Sequence, residues 1–277
     1  STVNAGIDLR MLSTDHYERV ELLRGIASAR YGDLSSGAFV LRAKQGVTPW
    51  QVRAKVDPLS TLAYIGKGVH LPLGTLHLGG EYTTATPDER EQLERYSRYS
   101  AQTNWTAKSR LAAFPFSFGL RANYIGTLQT ERTDPDLTLR IEKYNAYYSR
   151  YQLSGEGELM VDKPWLSSVH LTLSYDYTED VIRRVKNISV HGGQGLPMSD
   201  KSGEYEGLYL PFEYLSKYSL VSKPMQGYGL LEVREHWQFW NMTHAVSVGT
   251  EVRFEGNIGK GYTYDLQRPP APGSPTS

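Results

Sequence analysis

The chain has 277 residues, and 30 Lys plus Arg balance 30 Asp plus Glu, so no basic excess points to nucleic acid and no acidic excess to cations. There are no cysteines, which removes disulfides, thiolate metal sites and a cysteine nucleophile. No stretch approaches the ~18 consecutive apolar residues of a membrane helix, a test that strands crossing a membrane escape because only every second residue is apolar. Tyrosine is unusually frequent, at 20 against 7 Phe. The first residues, Ser1 to Gly6, lack an initiator Met and a signal-like segment, so a mature or truncated start is expected.

Residues 7–46 have a short-range texture. Ser13-Thr14-Asp15 can cap a short helical turn. Glu18 to Arg24 reads as a compact strand, which Gly25 ends where the backbone needs a positive φ. A short helix is expected over Ile26 to Arg30, turns at Tyr31-Gly32-Asp33 and Ser35-Ser36-Gly37, and a last strand over Ala38 to Lys44.

From Thr48 onward the pattern becomes strict alternation, the mark of strands with one apolar and one polar face. Nine strands are expected, near 50–56, 61–71, 74–86, 98–107, 114–124, 144–161, 168–178, 227–239 and 244–256. In the fifth, Phe114, Phe116, Phe118, Leu120, Ala122 and Tyr124 oppose Ser117, Gly119, Arg121 and Asn123. Such lengths exceed the globular ~5–6 residues and suit a tilted membrane strand of ~9–11. Short connections near 72–74, 162–167 and 240–243 alternate with long polar ones near 87–97, 130–143 and 180–226; those at 57–60 and 108–113 break the rule. Tyr64, Tyr82, Tyr99, Trp105, Trp165, Trp237 and Trp240 lie towards strand ends, as interfacial girdles require. Alternation alone fits equally a soluble antiparallel sandwich.

The first segment decides between them. Strand, RG, short helix, YG, SG and strand, in that order, resembles the C-terminal half of the plug of TonB-dependent outer-membrane receptors, whose pattern begins ERVEVLRG. The matches are Glu18, Arg19, Val20, Glu21, Leu23, Arg24, Gly25, Ser28, Tyr31, Gly32 and Gly37. The resemblance implies a mainly β protein in which residues 1–47 are a small α/β plug remnant and residues 48–277 the N-terminal part of an antiparallel transmembrane β-barrel, partial and open, of about nine strands. Loop composition resembles the style of Bacteroidetes-type receptors.

By the same resemblance the activity is active import across the bacterial outer membrane, with no chemical reaction and no cofactor. The ligand is a ferric siderophore, haem, cobalamin or an oligosaccharide. The partners are the TonB energy-coupling protein, through a segment not present here, and outer-membrane lipid, with no nucleic acid. Arg24 would join the ionic lock between plug and barrel. The aromatics of the long connection, Tyr205, Tyr209, Phe212, Tyr214 and Tyr218, are candidates for stacking on the ligand and equally for packing the loop. The seven histidines show no helical i, i+4 pair and no metal spacing, and Glu156 with Glu158, or Glu251 with Glu255, have the spacing of a charged wall. Two other classes remain open: a passive or adhesive outer-membrane barrel, and a secreted soluble β-sandwich binding module.

Overall fold

The computed structural model describes residues 14–23, 38–86, 94–111, 113–131, 141–163, 165–190, 195–196, 202–204, 208–240 and 242–270. Thr14–His16 forms one 3₁₀ turn leading into β1 (Tyr17–Leu23), which pairs antiparallel with β2 (Ala38–Ala43). These two strands make a sheet of their own, joined by no ladder to the later strands.

The second sheet begins with β3 (Thr48–Val56), β4 (Ser60–Leu71), β5 (Gly74–Ala85) and β6 (Glu94–Leu111), then β7 (Phe114–Glu131), β8 (Glu142–Lys163) and β9 (Leu166–Ser189). Two-residue strands β10 (Gly195–Leu196) and β11 (Leu208–Tyr209) pair with each other. The chain returns through β12 (Glu213–Ser222), β13 (Pro224–Phe239), β14 (Met242–Asn257) and β15 (Gly261–Tyr264). Ser222 opposes Asp180 and Met225 opposes Tyr177, so β12 and β13 keep one register on β9 and act as a single strand. β14 and β15 also continue one another, but across a bulge. Val221 faces Gly261 whereas Pro224 faces Asn257, leaving residues 258–260 against only Ser222 and Lys223. Gly261, at φ 71°, supplies the left-handed residue that this bulge needs.

The result is an up-and-down meander in which the nine expected strands are all present, their spatial order following chain order from β3 through β9 to β13 and β14. β3 and β14 are the ends of that path, with no ladder between them, so the sheet is open. Register is continuous enough to follow one row across it: Val52, Ile65, Gly80, Ala101, Tyr124, Tyr151, Tyr177, Met225 and Gly256, each directly opposite the next. Because opposed residues share a face, Val52, Phe116, Phe118, Leu120, Leu171, Leu173, Val248 and Val252 stand on this side, and Arg53, Arg121, Asp176 and Glu251 on the other. The apolar side is exposed, with Val52 at 74% and Val248 at 68%. Lys67 also lies there, its ammonium over the Trp50 ring.

Tyrosines close the apolar band towards the end with the longer connections. Tyr124 and Tyr151 are 5.0 Å apart between ring centroids, Tyr151 and Tyr177 6.2 Å, and Tyr82 and Tyr99 5.2 Å. Tyr64 departs from the girdle expectation, being buried on the polar face. Trp105 packs edge-on against Phe118 and donates its indole N–H to the Leu73 carbonyl in the turn between β4 and β5 at 3.0 Å.

Strands also run further than alternation indicates. β8 has 22 residues and β9 has 24, roughly 80 Å at ~3.3 Å per residue. Much of the expected loop 180–226 is therefore ladder, as residues 180–189 pair with 213–222. The reason is physical: beyond the tyrosines each face mixes polar and apolar residues, so the two-residue period fades while backbone pairing continues. The expected irregularity at 108–113 also shrinks, because β6 continues to Leu111 and β7 starts at Phe114. The short turn after β3 is explained by Asp57, whose Oδ1 accepts from the Ser60 amide at 2.7 Å and whose Oδ2 accepts from the Ser60 hydroxyl at 2.8 Å.

Replacing Gly261 by Val forces a β-branched residue into the left-handed region, at a cost of about 1–3 kcal/mol. Amide exchange at residues 261–264 is expected to accelerate while that of β13 stays unchanged. Unchanged protection at 261–264 would contradict the bulge assignment.

Candidate functional site

The polar face of the meander is the floor of the site, and the β1–β2 hairpin docks onto it. Glycines make the room. Gly66 and Gly79 are direct cross-strand neighbours, and between them Tyr64 folds its ring back over Gly66. A Cβ on Gly79 would come 3.0 Å from His16 Nδ1, and one on Gly68 would collide with the Gly46 carbonyl oxygen and the Thr48 amide. A notch without side chains thus receives the 3₁₀ turn and the segment between β2 and β3.

Polar contacts hold the hairpin there. His16 Nε2 is hydrogen-bonded to Ser100 Oγ at 2.8 Å, and its ring meets Tyr64 edge-on at 5.5 Å. Asn104 Nδ2 donates to the Lys44 carbonyl at 3.0 Å, Lys44 Nζ donates to Gln51 Oε1 at 2.8 Å, and Arg53 pairs with Asp15 at 2.7 Å. Tyr17 reaches further along the floor, where burial pushes its phenol up against the opposing pull of Arg121 and Arg150. Several buried polar atoms cluster at the same seam without a hydrogen-bond partner among the described residues: His16 Nδ1, both ring nitrogens of His77, Tyr64 Oη and Gln102 Nε2. Each made hydrogen bond contributes only about 1 kcal/mol net, and each dry unmade one costs about 1–3 kcal/mol. The seam is specific in shape but modest in strength.

Several charges on the rest of the floor are paired. Asp176 accepts from Arg150 Nε at 2.8 Å and from Gln152 at 2.8 Å, Arg234 holds Glu232 at 2.7 Å, and Arg253 pairs with Glu251. Glu158 lies 3.9 Å from Arg234. Of the carboxylates singled out from sequence, Glu158 and Glu251 belong to these pairs.

Towards the far end of the long strands the same face becomes aromatic. Tyr144, Arg184, Tyr218 and Tyr264 form one row across β8, β9, β12 and β15, with Arg184 also held by Glu142. Tyr262 lies 5.3 Å from Tyr218 and 5.4 Å from Tyr264. Arg98 sits over the Tyr96 ring at 5.4 Å. Flat rings beside guanidinium groups suit stacking against a planar or sugar-like ligand that carries negative charge.

The residues singled out from sequence divide between these places. Glu18 and Arg19 are exposed on β1, and Glu21 is on β1 opposite Val40. Arg24, Gly25, Tyr31, Gly32, Gly37 and Tyr205 lie outside the described residues. Tyr218 belongs to the aromatic row, and Tyr209 and Phe212 are each 72% exposed. Tyr214 is a packing residue: it is buried with Ile188, Val190 and Leu210, and its hydroxyl donates to the Pro269 carbonyl at 2.7 Å. Sequence reading missed His16, Gly66, Gly68 and Gly79, and also Tyr144, Tyr262 and Tyr264, which meet only across the register. Among the described residues no group of His, Asp and Glu has the arrangement of a metal site. No family model, curated protein or solved structure matches the chain.

Two outcomes test the seam. Gly68→Ala places a methyl against the Gly46 carbonyl, and it is expected to raise amide exchange of residues 38–47 while leaving β8 and β9 protected. Protection unchanged throughout would show that the close approach is not needed. The second concerns His16. Burial first, then Lys44 and His77, hold its imidazole down at about 4 from an ordinary 6.5, against the opposing effect of Asp15. The docked hairpin keeps His16 neutral, so its contribution is complete above about 6.5 and is lost as pH falls towards about 4. Exchange of residues 38–47 is expected to rise across that window, and His16→Gln should flatten the dependence.

Proposed function

We propose that the chain is part of a TonB-dependent transporter of the bacterial outer membrane, with residues 1–47 belonging to the plug and residues 48–277 to the N-terminal part of the barrel. One observation carries the reading. A hairpin with its own sheet sits on the polar face of a membrane-length antiparallel meander whose opposite face is apolar and exposed. That is the arrangement expected when the outward side meets lipid and the inward side meets a folded cork. The plug-like sequence from Glu18 to Gly37 supports the same reading independently.

In this reading, ligand is captured at the external end and passes inward when the plug is displaced by force from the TonB protein. A polar seam of a few hydrogen bonds fits a unit that must be released repeatedly, whereas an apolar seam would set hard. The tyrosine and arginine row at the far end is the candidate capture surface, for a ferric siderophore, haem, cobalamin or an oligosaccharide. The process is transport and needs no reaction. A soluble sandwich would cover the apolar face with a second sheet, and among the described residues nothing lies on it. A passive pore has no use for an inward-folded unit.

Neighbouring positions on opposite faces provide the test. Phe118→Arg puts a charge in the apolar band at about 2–4 kcal/mol, while Gly119→Arg puts it on the polar face beside Glu156. Membrane insertion is expected to fail for the first and persist for the second. Equal effects, or a wild-type chain that is monomeric without detergent, would overturn the reading.

A further inference from the structure

The face that carries the apolar band changes character beyond the tyrosines. Next outward from Tyr177 on this face is Glu179, ion-paired with Lys223 at 2.6 Å. Further out, Arg95, Thr130, Asn145, Arg183, Ser219 and Thr263 form one row, each directly opposite the next. One position further on the same face, Lys143 and Lys217 stand on either side of Val185. Strand spacing places the backbones of these two lysines about 10 Å apart, with Arg183 about 7 Å along β9. Arg95, Lys143, Arg183 and Lys217 are all exposed.

These four differ from the ion-paired cations near them. Arg184, the next residue to Arg183 but on the opposite face, is held by Glu142, and Arg150 and Arg234 have their own carboxylates. Among the described residues none of the four takes an ion-pair partner. Glu213, further out on the same face, accepts from Asn187 Nδ2 at 3.1 Å. Four exposed cations on one stretch of this face make it locally positive, a field that draws anions from outside. Thr130, Asn145, Ser219 and Thr263 add neutral donors around it, and the last two hydroxyls lie 2.8 Å apart.

We infer that this patch docks the phosphate-bearing headgroups of the lipid leaflet around the outer end of the sheet. The inference rests on the membrane reading and extends it. The surface is continuous: the apolar band covers acyl chains, tyrosines mark the boundary, and the cations begin at Arg183, about 20 Å along the strand from Tyr177. Arginine and lysine on such a surface are complementary to phosphate, the arginines through their planar fork.

The test uses the chain in zwitterionic detergent micelles, mixed with diphosphorylated lipid A or with the same lipid stripped of phosphate. Bound lipid per chain is read by native mass spectrometry. The wild type is expected to retain the phosphorylated lipid selectively, and K143E/R183E/K217E to retain roughly tenfold less or lower still. Lys186→Glu, which reverses an exposed cation on the opposite face, should leave retention unchanged, as should excess inorganic phosphate. Lys217→Glu alone serves if β-sheet circular dichroism shows the triple variant unfolded. Equal retention of both lipids, an unaffected patch variant, an equal loss in Lys186→Glu, or displacement by inorganic phosphate would each overturn the inference. A chain soluble without detergent would remove the membrane reading as well, whereas a detergent-dependent chain indifferent to phosphate removes the patch alone.

Discussion

Side chains alternate along a strand, so a slip of one residue anywhere between β3 and β14 would turn part of the sheet inside out. The organisation of this protein depends on that slip not occurring within the apolar band; the register shifts of this part of the sheet fall at strand ends, between Thr48 and Gln51 and between Met160 and Lys163. Nine strands keep their cross-strand parity from Val52 to Gly256, and the bulge at residues 258–260 falls after the apolar band has ended. Short turns help to enforce it. Pairing resumes directly across them, as Leu71 with Gly74 and Leu111 with Phe114, which leaves little slack for a shifted ladder.

With parity secured, the two faces can be specialised separately. One accumulates Val, Leu, Phe and Tyr without interior partners, and the other accumulates amides, hydroxyls and ion pairs. The hairpin finds its place on the second face because glycines at 66, 68 and 79 leave a notch shaped for His16, Tyr64 and the backbone at Gly46. Shape complementarity with few apolar contacts gives a seam that is well defined yet weakly bound. Buried partnerless atoms such as those of His77 lower its strength further. A transporter plug requires both properties, whereas a structural core would require only the first.

Length divides the sheet in the other direction. β8 and β9 run well past the tyrosines, and their outer halves keep the ladder while exchanging apolar residues for polar ones. There the polar face gathers Tyr144, Tyr218, Tyr262 and Tyr264 around Arg184, and the opposite face gathers, around Arg183, cations that have no ion-pair partner among the described residues. Adjacent arginines on one strand thus serve different neighbours solely because they point to opposite sides.

The sequence alone carried the nine strands and the polarity of each face, because both are encoded by neighbours within a few residues. Phe116, Phe118 and Leu120 against Ser117, Gly119 and Arg121 need no partner to be read. It did not carry the outer halves of β8, β9 and β12, where each face mixes polar and apolar residues and the two-residue signal disappears. Nor did it reveal that Tyr214 is a packing residue, that Tyr64 lies under His16, or that Gly66 and Gly79 meet to form a notch. Those facts depend on which residues face each other across strands distant in sequence: Ser100 reaches His16 from 84 positions away and Pro269 reaches Tyr214 from 55. Local alternation fixes the side on which a residue stands, but only the assembled register and the docking of the hairpin decide what it meets there.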